Sequence, residues 1–311
     1  MIPQPHLLKG LAWIAVSILC WVPLFPLAKR VLPVVDAFAL GSVRYAIGGL
    51  LFVALLAAIE GRQALRYEGR LVAAALFGLI GITGFNGFVW YGLTFTRPEH
   101  AAIIMGIQTP LIALAVWLTR GVRPPTFTLG CTAIAFAGVI LVVTKGDPGH
   151  ALEGGAAFST LFGDFLVFLG ALCWVTYTLA GARFAGWSPL RLTVLTCVPG
   201  AVGLFALNGV AVNAGIAVVP SGDALASIAW QILYFAVGTV VLGVLGFNFS
   251  VKYLGPLNTM LMLNLVPVGV FAIEAALGRS FAAIELAGAA FVIGALVANN
   301  FYLRWAAKTT G

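Results

Sequence analysis

The sequence predicts an all-α membrane protein: ten transmembrane helices in two inverted five-helix repeats around a central cavity. Three observations lead there. The 311 residues are 61% hydrophobic and only 9% charged, a composition outside that of soluble globular domains. Ten apolar runs come close to or exceed the roughly 20 residues that a helix needs to cross a bilayer core of about 30 Å. Leu19-Cys20-Trp21-Val22 recurs unchanged, 153 residues later, as Leu172-Cys173-Trp174-Val175. Alternating strand patterns of about ten residues, which a membrane β-barrel requires, are absent.

The first span, 8–28, follows a short polar lead with Lys9 and superficially resembles a signal peptide. It has no small-x-small site behind it, and its copy lies in mid-chain, so no cleavage is expected. Pro23 and Pro26 break this span toward its outer end. The second, 34–59, holds Arg44 about ten residues in. The third, 71–95, has Gly78, Gly81, Gly84 and Gly87 at every third position, which lets it approach neighbours closely. The fourth, 101–119, carries Gln108 and Pro110, and the fifth, 126–144, the Gly130–Gly138 run. The sixth, 163–182, opens the second repeat, with Gly163 and Arg183 in the places of Gly10 and Arg30. The seventh is 189–208 and the eighth 228–250; the ninth, 257–277, carries Asn264, Pro267 and Glu274, and the tenth, 282–304, the Gly288–Gly294 run.

A second motif strengthens the duplication. Gly81-x-x-Gly84-Phe85-Asn86-x4-Tyr91 matches Gly243-x-x-Gly246-Phe247-Asn248-x4-Tyr253 at an offset of 162, and Met105 and Pro110 pair with Met262 and Pro267 at 157. The longer offset places nine extra residues in the 209–227 loop. The repeats are therefore 8–144 and 163–304, and five crossings each, an odd number, makes them inverted. Lysine and arginine bias sets the orientation. With the N-terminus inside, eleven of the 17 basic residues face the cytoplasm, while Lys29, Arg30, Arg97, Lys145 and Arg279 face outward. Both termini are expected in the cytoplasm.

Several classes of function are excluded or disfavoured. The net charge of +7 follows from this bias, and no basic run resembles a nucleic-acid or lipid-binding patch. Cys20, Cys131, Cys173 and Cys197 lie in apolar spans without Cys-x-x-Cys spacing, and His6, His100 and His150 fall in terminal or loop segments, so no metal site and no cofactor are expected. No phosphate loop and no nucleophile-base constellation is present, which argues against an ATPase or an intramembrane enzyme.

Inverted repeats of this kind build secondary transporters with a cavity at their junction. Trp21 and Trp174 are repeat-equivalent and lie more than a turn inside their spans. With Phe85, Tyr91, Tyr177 and Tyr253 they are candidate aromatic walls; interfacial belts are the alternative. Asn86 and Asn248 fall at mirrored depths, suiting an outer and an inner constriction. Gln108 and Asn264 sit beside Pro110 and Pro267, where an amide can bond either a substrate or a carbonyl freed by the proline. The two prolines read as matched hinges or as static kinks. Arg44 can attract a carboxylate or tie together backbone carbonyls. Glu274, near the outer end of the ninth span, is a candidate proton-coupling carboxylate unless it snorkels to water; apart from it, few buried carboxylates are expected.

The order of these features resembles the EamA-type members of the drug/metabolite transporter superfamily: the paired Gly10–Trp21 and Gly163–Trp174 openings, Arg44, Pro110 and Pro267, and the glycine runs of the fifth and tenth spans. The similarity covers about residues 8–304 and is greatest to bacterial aromatic and neutral amino-acid exporters. It implies a ten-helix basket whose cavity is lined mainly by helices 1, 3, 4, 6, 8 and 9. It also implies export of amino acids or related small metabolites across the cytoplasmic membrane by alternating access. Drug, nucleoside and quaternary-cation carriers share the superfamily. No ATPase subunit is implied, and a monomer surrounded by lipid suffices for one cavity. The family often has Gly-Glu after the fourth and ninth helices, where this chain has Gly121-Val122 and Gly278-Arg279, so no role of that glutamate carries over.

Overall fold

The computed structural model describes residues 4–147 and 155–309; His150 lies outside them. Among the described residues there is no strand, and nine helices are long and apolar enough to span a membrane. They are α1 (His6–Val31), α2 (Ala37–Ile59), α3 (Leu71–Phe95), α4 (Pro98–Thr119), α5 (Thr126–Thr144), α6 (Gly155–Ala180), α7 (Pro189–Asn213), α8 (Ala229–Leu254) and α10 (Ala283–Leu303). The ninth crossing, α9, is divided into Pro256–Leu263 and Leu265–Ala276, so the ten expected spans appear as nine long apolar helices and one divided at Asn264.

Local chemistry explains the boundaries. Asp36 caps α2, its Oδ1 accepting from the backbone N–H of Phe38 and Ala39 at 2.9 and 3.0 Å. Ser188 caps α7 by accepting from the Arg191 N–H at 2.9 Å, with Pro189 at the first helical position, where a missing N–H costs nothing. α7 runs on to Asn213 and a short helix follows at Gly222–Ser227, so the stretch between α7 and α8 is less of a loop than its polarity suggests. α1 is interrupted at Val22 and Pro23. α4 breaks at Ile107 and α9 at Asn264, each three residues before its proline. Pro110 and Pro267 have no N–H to give to Gly106 and Leu263, so each helix loosens in the turn before its ring.

The halves are inverted. Phe127 near the start of α5 meets Tyr302 near the end of α10, ring centroids 4.6 Å apart, while Gly146 just past α5 lies against Ile284 at the start of α10. These equivalent helices are therefore antiparallel. α1 packs antiparallel on α8 and α6 on α3, the two pairs that an exchange of halves interconverts; α2 with α7 and α4 with α9 complete the set. Close approach depends on glycine. A Cβ on Gly138 would stand 2.6 Å from the Gly288 oxygen and one on Gly288 2.8 Å from the Gly138 oxygen; Gly92 and Gly163 form the same reciprocal contact between α3 and α6 at 2.7 and 2.6 Å.

The two equivalent pairs differ in register. Gly246 of α8 lies against Ser17 of α1, whereas its counterpart Gly84 lies against Cys173, the counterpart of Cys20. Gly243 meets Trp21, yet Gly81 meets Tyr177, the counterpart of Leu24. One pair is slid about three residues relative to the other, roughly 4.5 Å along the axis at 1.5 Å per residue.

On the face expected to be cytoplasmic, the loop before α3 is fastened to the start of α7. Glu68 stands 2.8 Å from Arg191 and accepts from the Trp187 indole N–H at 3.1 Å; these two bonds hold its carboxyl below the usual carboxylate range. Arg191 also donates to the Arg66 oxygen at 2.6 Å.

Gly138→Leu should force α5 from α10 and destabilise the protein by about 1–3 kcal/mol, the cost typical of overpacking. Gly130→Leu, at a site with no neighbour within 4 Å of a new Cβ, should change little. Thermal unfolding in detergent micelles compares the two.

Candidate functional site

A cavity opens between the halves, with about 850 Å³ of unfilled space including its open mouth. Its walls are largely apolar and aromatic: Trp21, Phe25, Tyr45, Phe85 and Trp174, with Leu24, Met105, Leu263 and Val266. Its polar contributors are Arg44, Gln108, Thr109, Thr239 and Asn264.

The repeated tryptophans both pack against Phe247. Trp174 lies 5.2 Å from Phe85 and 6.1 Å from Phe247, and Trp21 lies 6.0 Å from Phe247, between ring centroids. Phe85 and Phe247 are the equivalent phenylalanines of the duplicated Gly-Phe-Asn motif, so the aromatic chain joins the same parts of both halves. The Trp21 indole donates to the Thr239 oxygen at 3.0 Å, fixing its ring at the wall. In both repeats the motif is reached through π-helical turns, Leu79–Gly84 in α3 and Tyr234–Gly243 in α8, a local widening that often marks functional positions in helices.

Arg44 is the one charged group among the described lining residues. It is 3% exposed and has no carboxylate partner among the described residues. One guanidinium nitrogen donates to Asn86 Oδ1 in a short hydrogen bond and another to Thr239 Oγ1 at 3.4 Å, while the Trp90 ring lies 4.2 Å below its carbon. Asn86 Oδ1 also accepts from the Trp90 indole at 2.9 Å, and its amide donates to the Ile82 oxygen at 2.6 Å. Arg44 Nε has no partner among the described residues. Asn264 Nδ2 is buried and likewise without a partner, and Gln108 has only a 3.2 Å contact with the Met105 sulfur.

Of the residues singled out from sequence, Trp21, Phe85, Trp174, Gln108, Asn264, Pro267 and Arg44 line this cavity, and the structure places the others elsewhere. Asn86 sits behind Arg44, fully engaged. Tyr177 is buried against Thr196, hydroxyl to hydroxyl at 3.0 Å. Asn248 donates to Thr193 at 2.5 Å. Tyr91 packs on Phe38 and Phe95, and Tyr253 on His6. Pro110 lies one turn past the Ile107 break. Glu274 is partly exposed near the C-terminal end of α9. Thr239 and Met105, which bear on the polar groups of the cavity, were not singled out; Met105 had a signal, since it is one of the residues matched between repeats.

A second polar cluster lies at the ends of α4, α6 and α10. His100 was read as a loop residue, but it occupies the first turn of α4 and is 1% exposed. Glu99, Asp164 and Glu285 are also buried, so buried carboxylates are more numerous than the sequence suggested. A hydropathy reading takes positions 99, 100 and 285 as span ends, and nothing local says that these two ends converge on Asp164 within α6.

The family profile of the EamA-like transporter family matches residues 8–144 and again 161–301. The chain belongs to this family. It is 30% identical to uncharacterized transporter YrdR of Bacillus subtilis over 93% of this chain and 90% of that protein, and 32% identical to uncharacterized transporter YyaM of the same organism over 89% and 88%. A solved crystal structure superimposes with a TM-score of 0.64 over 96% of this chain and 98% of the other, at 21% identity, a likeness of fold. The protein is a multi-pass membrane transporter of this family.

Asn86→Ala should strand the Arg44 guanidinium and the Trp90 indole and lower stability by about 2–3 kcal/mol, as expected for a lost buried bond to a charged group; thermal unfolding in detergent measures it.

Proposed function

We propose that the protein exports amino acids, aromatic and neutral ones above all, across the bacterial cytoplasmic membrane by alternating access. The observation that carries this reading is the polarity of the cavity. Among the described residues, a buried cation without a carboxylate partner and an amide with an unused donor line a pocket whose walls are otherwise largely aromatic and aliphatic. A charge held in low dielectric is costly until a counter-charge arrives, and a substrate carboxylate supplies it. The α-amino group suits acceptors in the same lining: the Gln108 and Asn264 amide oxygens and the Gly106 and Leu263 carbonyls released by the two prolines. The aromatic walls suit an aromatic or apolar side chain.

Exporters of drugs or quaternary cations are the competing class. A cationic substrate would enter a cavity with a fixed positive charge and no acidic lining group, so the same observation weighs against it. The unequal registers of the α1–α8 and α3–α6 pairs support alternating access: exchanging them between the halves yields a second arrangement with the opposite bias, and the breaks beside Pro110 and Pro267 serve as its hinges.

Counterflow in proteoliposomes tests the reading. Labelled phenylalanine should enter liposomes preloaded with phenylalanine, and excess tryptophan or leucine should compete, whereas nucleosides and tetraphenylphosphonium should not. Counterflow of the cation alone would replace the reading. Asn86→Asp gives Arg44 an internal counter-charge, so the protein should still fold while its apparent affinity for the amino acid falls about tenfold, equivalent to about 1.4 kcal/mol.

A further inference from the structure

The buried cluster at the outward ends of α4, α6 and α10 has no part in the cavity. Its centre is His100. Nδ1 lies 3.0 Å from Asp164 Oδ2, and the other Asp164 oxygen accepts a short hydrogen bond from Thr96. A carboxylate placed there makes Nδ1 the protonated nitrogen and leaves Nε2 with its lone pair. Among the described residues Nε2 has no partner, and the Glu99 oxygens accept no hydrogen bond of ordinary geometry, Oε1 having instead an ion-pair contact with Arg279. One ring nitrogen of His100 and one oxygen each of Glu99 and Glu285 lie within 4.8 Å of one another.

Such a triad suggests a metal site, but Arg279 already occupies the cation position, 2.6 Å from Glu99 and 3.1 Å from Glu285. What the cluster lacks is one positive charge. Among groups in contact, Asp164, Glu99 and Glu285 are opposed by Arg279 and by Arg97, which is 3.7 Å from Glu285 and 38% exposed. Lys29 and Arg30 of α1 and Glu274 of α9 act on it or its neighbours at longer range, and the Lys29 ammonium is engaged by the Leu93 and Thr94 oxygens at 2.7 and 2.9 Å. A proton on Nε2 balances the contacted groups and makes both ring nitrogens of His100 donors in a cluster of three carboxylates.

Two further observations give the cluster a purpose beyond packing. The duplication does not repeat it: at the offsets already established, His100, Asp164 and Arg279 correspond to Leu257, Leu11 and Val122. It therefore belongs to one face of the membrane, the face that the charge bias predicts to be external. It is also mechanically tied to the cavity. Glu99 and His100 stand at one end of the rigid segment Pro98–Gly106, and Ala102, Met105 and Gly106 near its other end line the cavity. Beyond it the helix is broken at Ile107.

We propose that His100, oriented by Asp164 and facing Glu99 and Glu285, is the proton-binding site through which export is coupled to proton entry. Proton uptake at Nε2 draws Glu99 away from Arg279 and repositions the first segment of α4, and release on the other side resets it. The proposal rests on the transport reading, so its test includes a measurement that needs no substrate. The chain has three histidines, and nitrogen-15 histidine spectra of wild type and His100→Asn in nanodiscs isolate the His100 signals. His100 should show the Nδ1–H form at pH 9 and take up one proton on acidification to pH 5. Over the same range, maleimide labelling of Met105→Cys should change several-fold relative to labelling of the same cysteine in the His100→Asn background. In proteoliposomes, an acid interior should drive uphill uptake of labelled phenylalanine at least tenfold in wild type; His100→Asn should lose that accumulation while counterflow at equal pH persists above that of empty liposomes. Absence of titration, pH-independent labelling of Met105→Cys, or full accumulation by His100→Asn would each overturn the proposal. Failure of every panel compound to undergo counterflow would instead overturn the amino-acid reading, with the spectra and the labelling still deciding the proton site.

Discussion

Polar groups inside a bilayer have no water to fall back on, and the interior of this protein is organised by that constraint. Arg44 is its sharpest instance. The guanidinium is held by an amide, a hydroxyl and an indole face rather than by an acid, which steadies the charge without neutralising it. Asn86 and Trp90 are in turn fixed by each other, so a conspicuous motif asparagine acts one layer behind the cavity. The same rule governs the prolines. Each frees a carbonyl at the helix break, and each break lies at the cavity wall, where polar partners are available.

With lipid tails as apolar as the side chains, burial of hydrocarbon does little to hold the helices together, and close van der Waals contact takes over. Glycines provide it where the halves meet. The reciprocal Gly138–Gly288 and Gly92–Gly163 contacts bring backbone against backbone, while the register difference between α1–α8 and α3–α6 shows that the symmetry of the chain is not carried fully into its packing. Duplication supplies a scaffold that can be assembled two ways. Residues without a counterpart, such as the cluster around His100, give the two faces different chemistry.

Much of the fold was legible because its cause is local. A run of twenty apolar residues must be helical in a membrane, and a repeated Leu-Cys-Trp-Val or Gly-Phe-Asn marks duplication whatever surrounds it. Trp21, Trp174, Phe85, Gln108 and Asn264 were found through repeat position and polarity, and they line one cavity. Asn86, Asn248, Tyr91, Tyr177 and Tyr253 carried equally strong signals but lie outside its lining, because spacing along a helix does not say which neighbour a face meets. The π-helical turns in α3 and α8 rotate the residues beyond them, and no periodicity of 3.6 anticipates that rotation.

Composition, hydropathy and internal repetition by themselves determined an all-helical membrane protein of two inverted halves, and Pro23, Pro110 and Pro267 mark where α1, α4 and α9 yield. Each of these is a property of a segment in its solvent. Which polar atoms end up paired was decided only by tertiary structure. Glu99, Asp164 and Glu285 are separated in sequence by up to 186 positions, and only packing makes them one buried cluster. The same holds for Arg44, whose lack of an acidic partner is a statement about every helix around it.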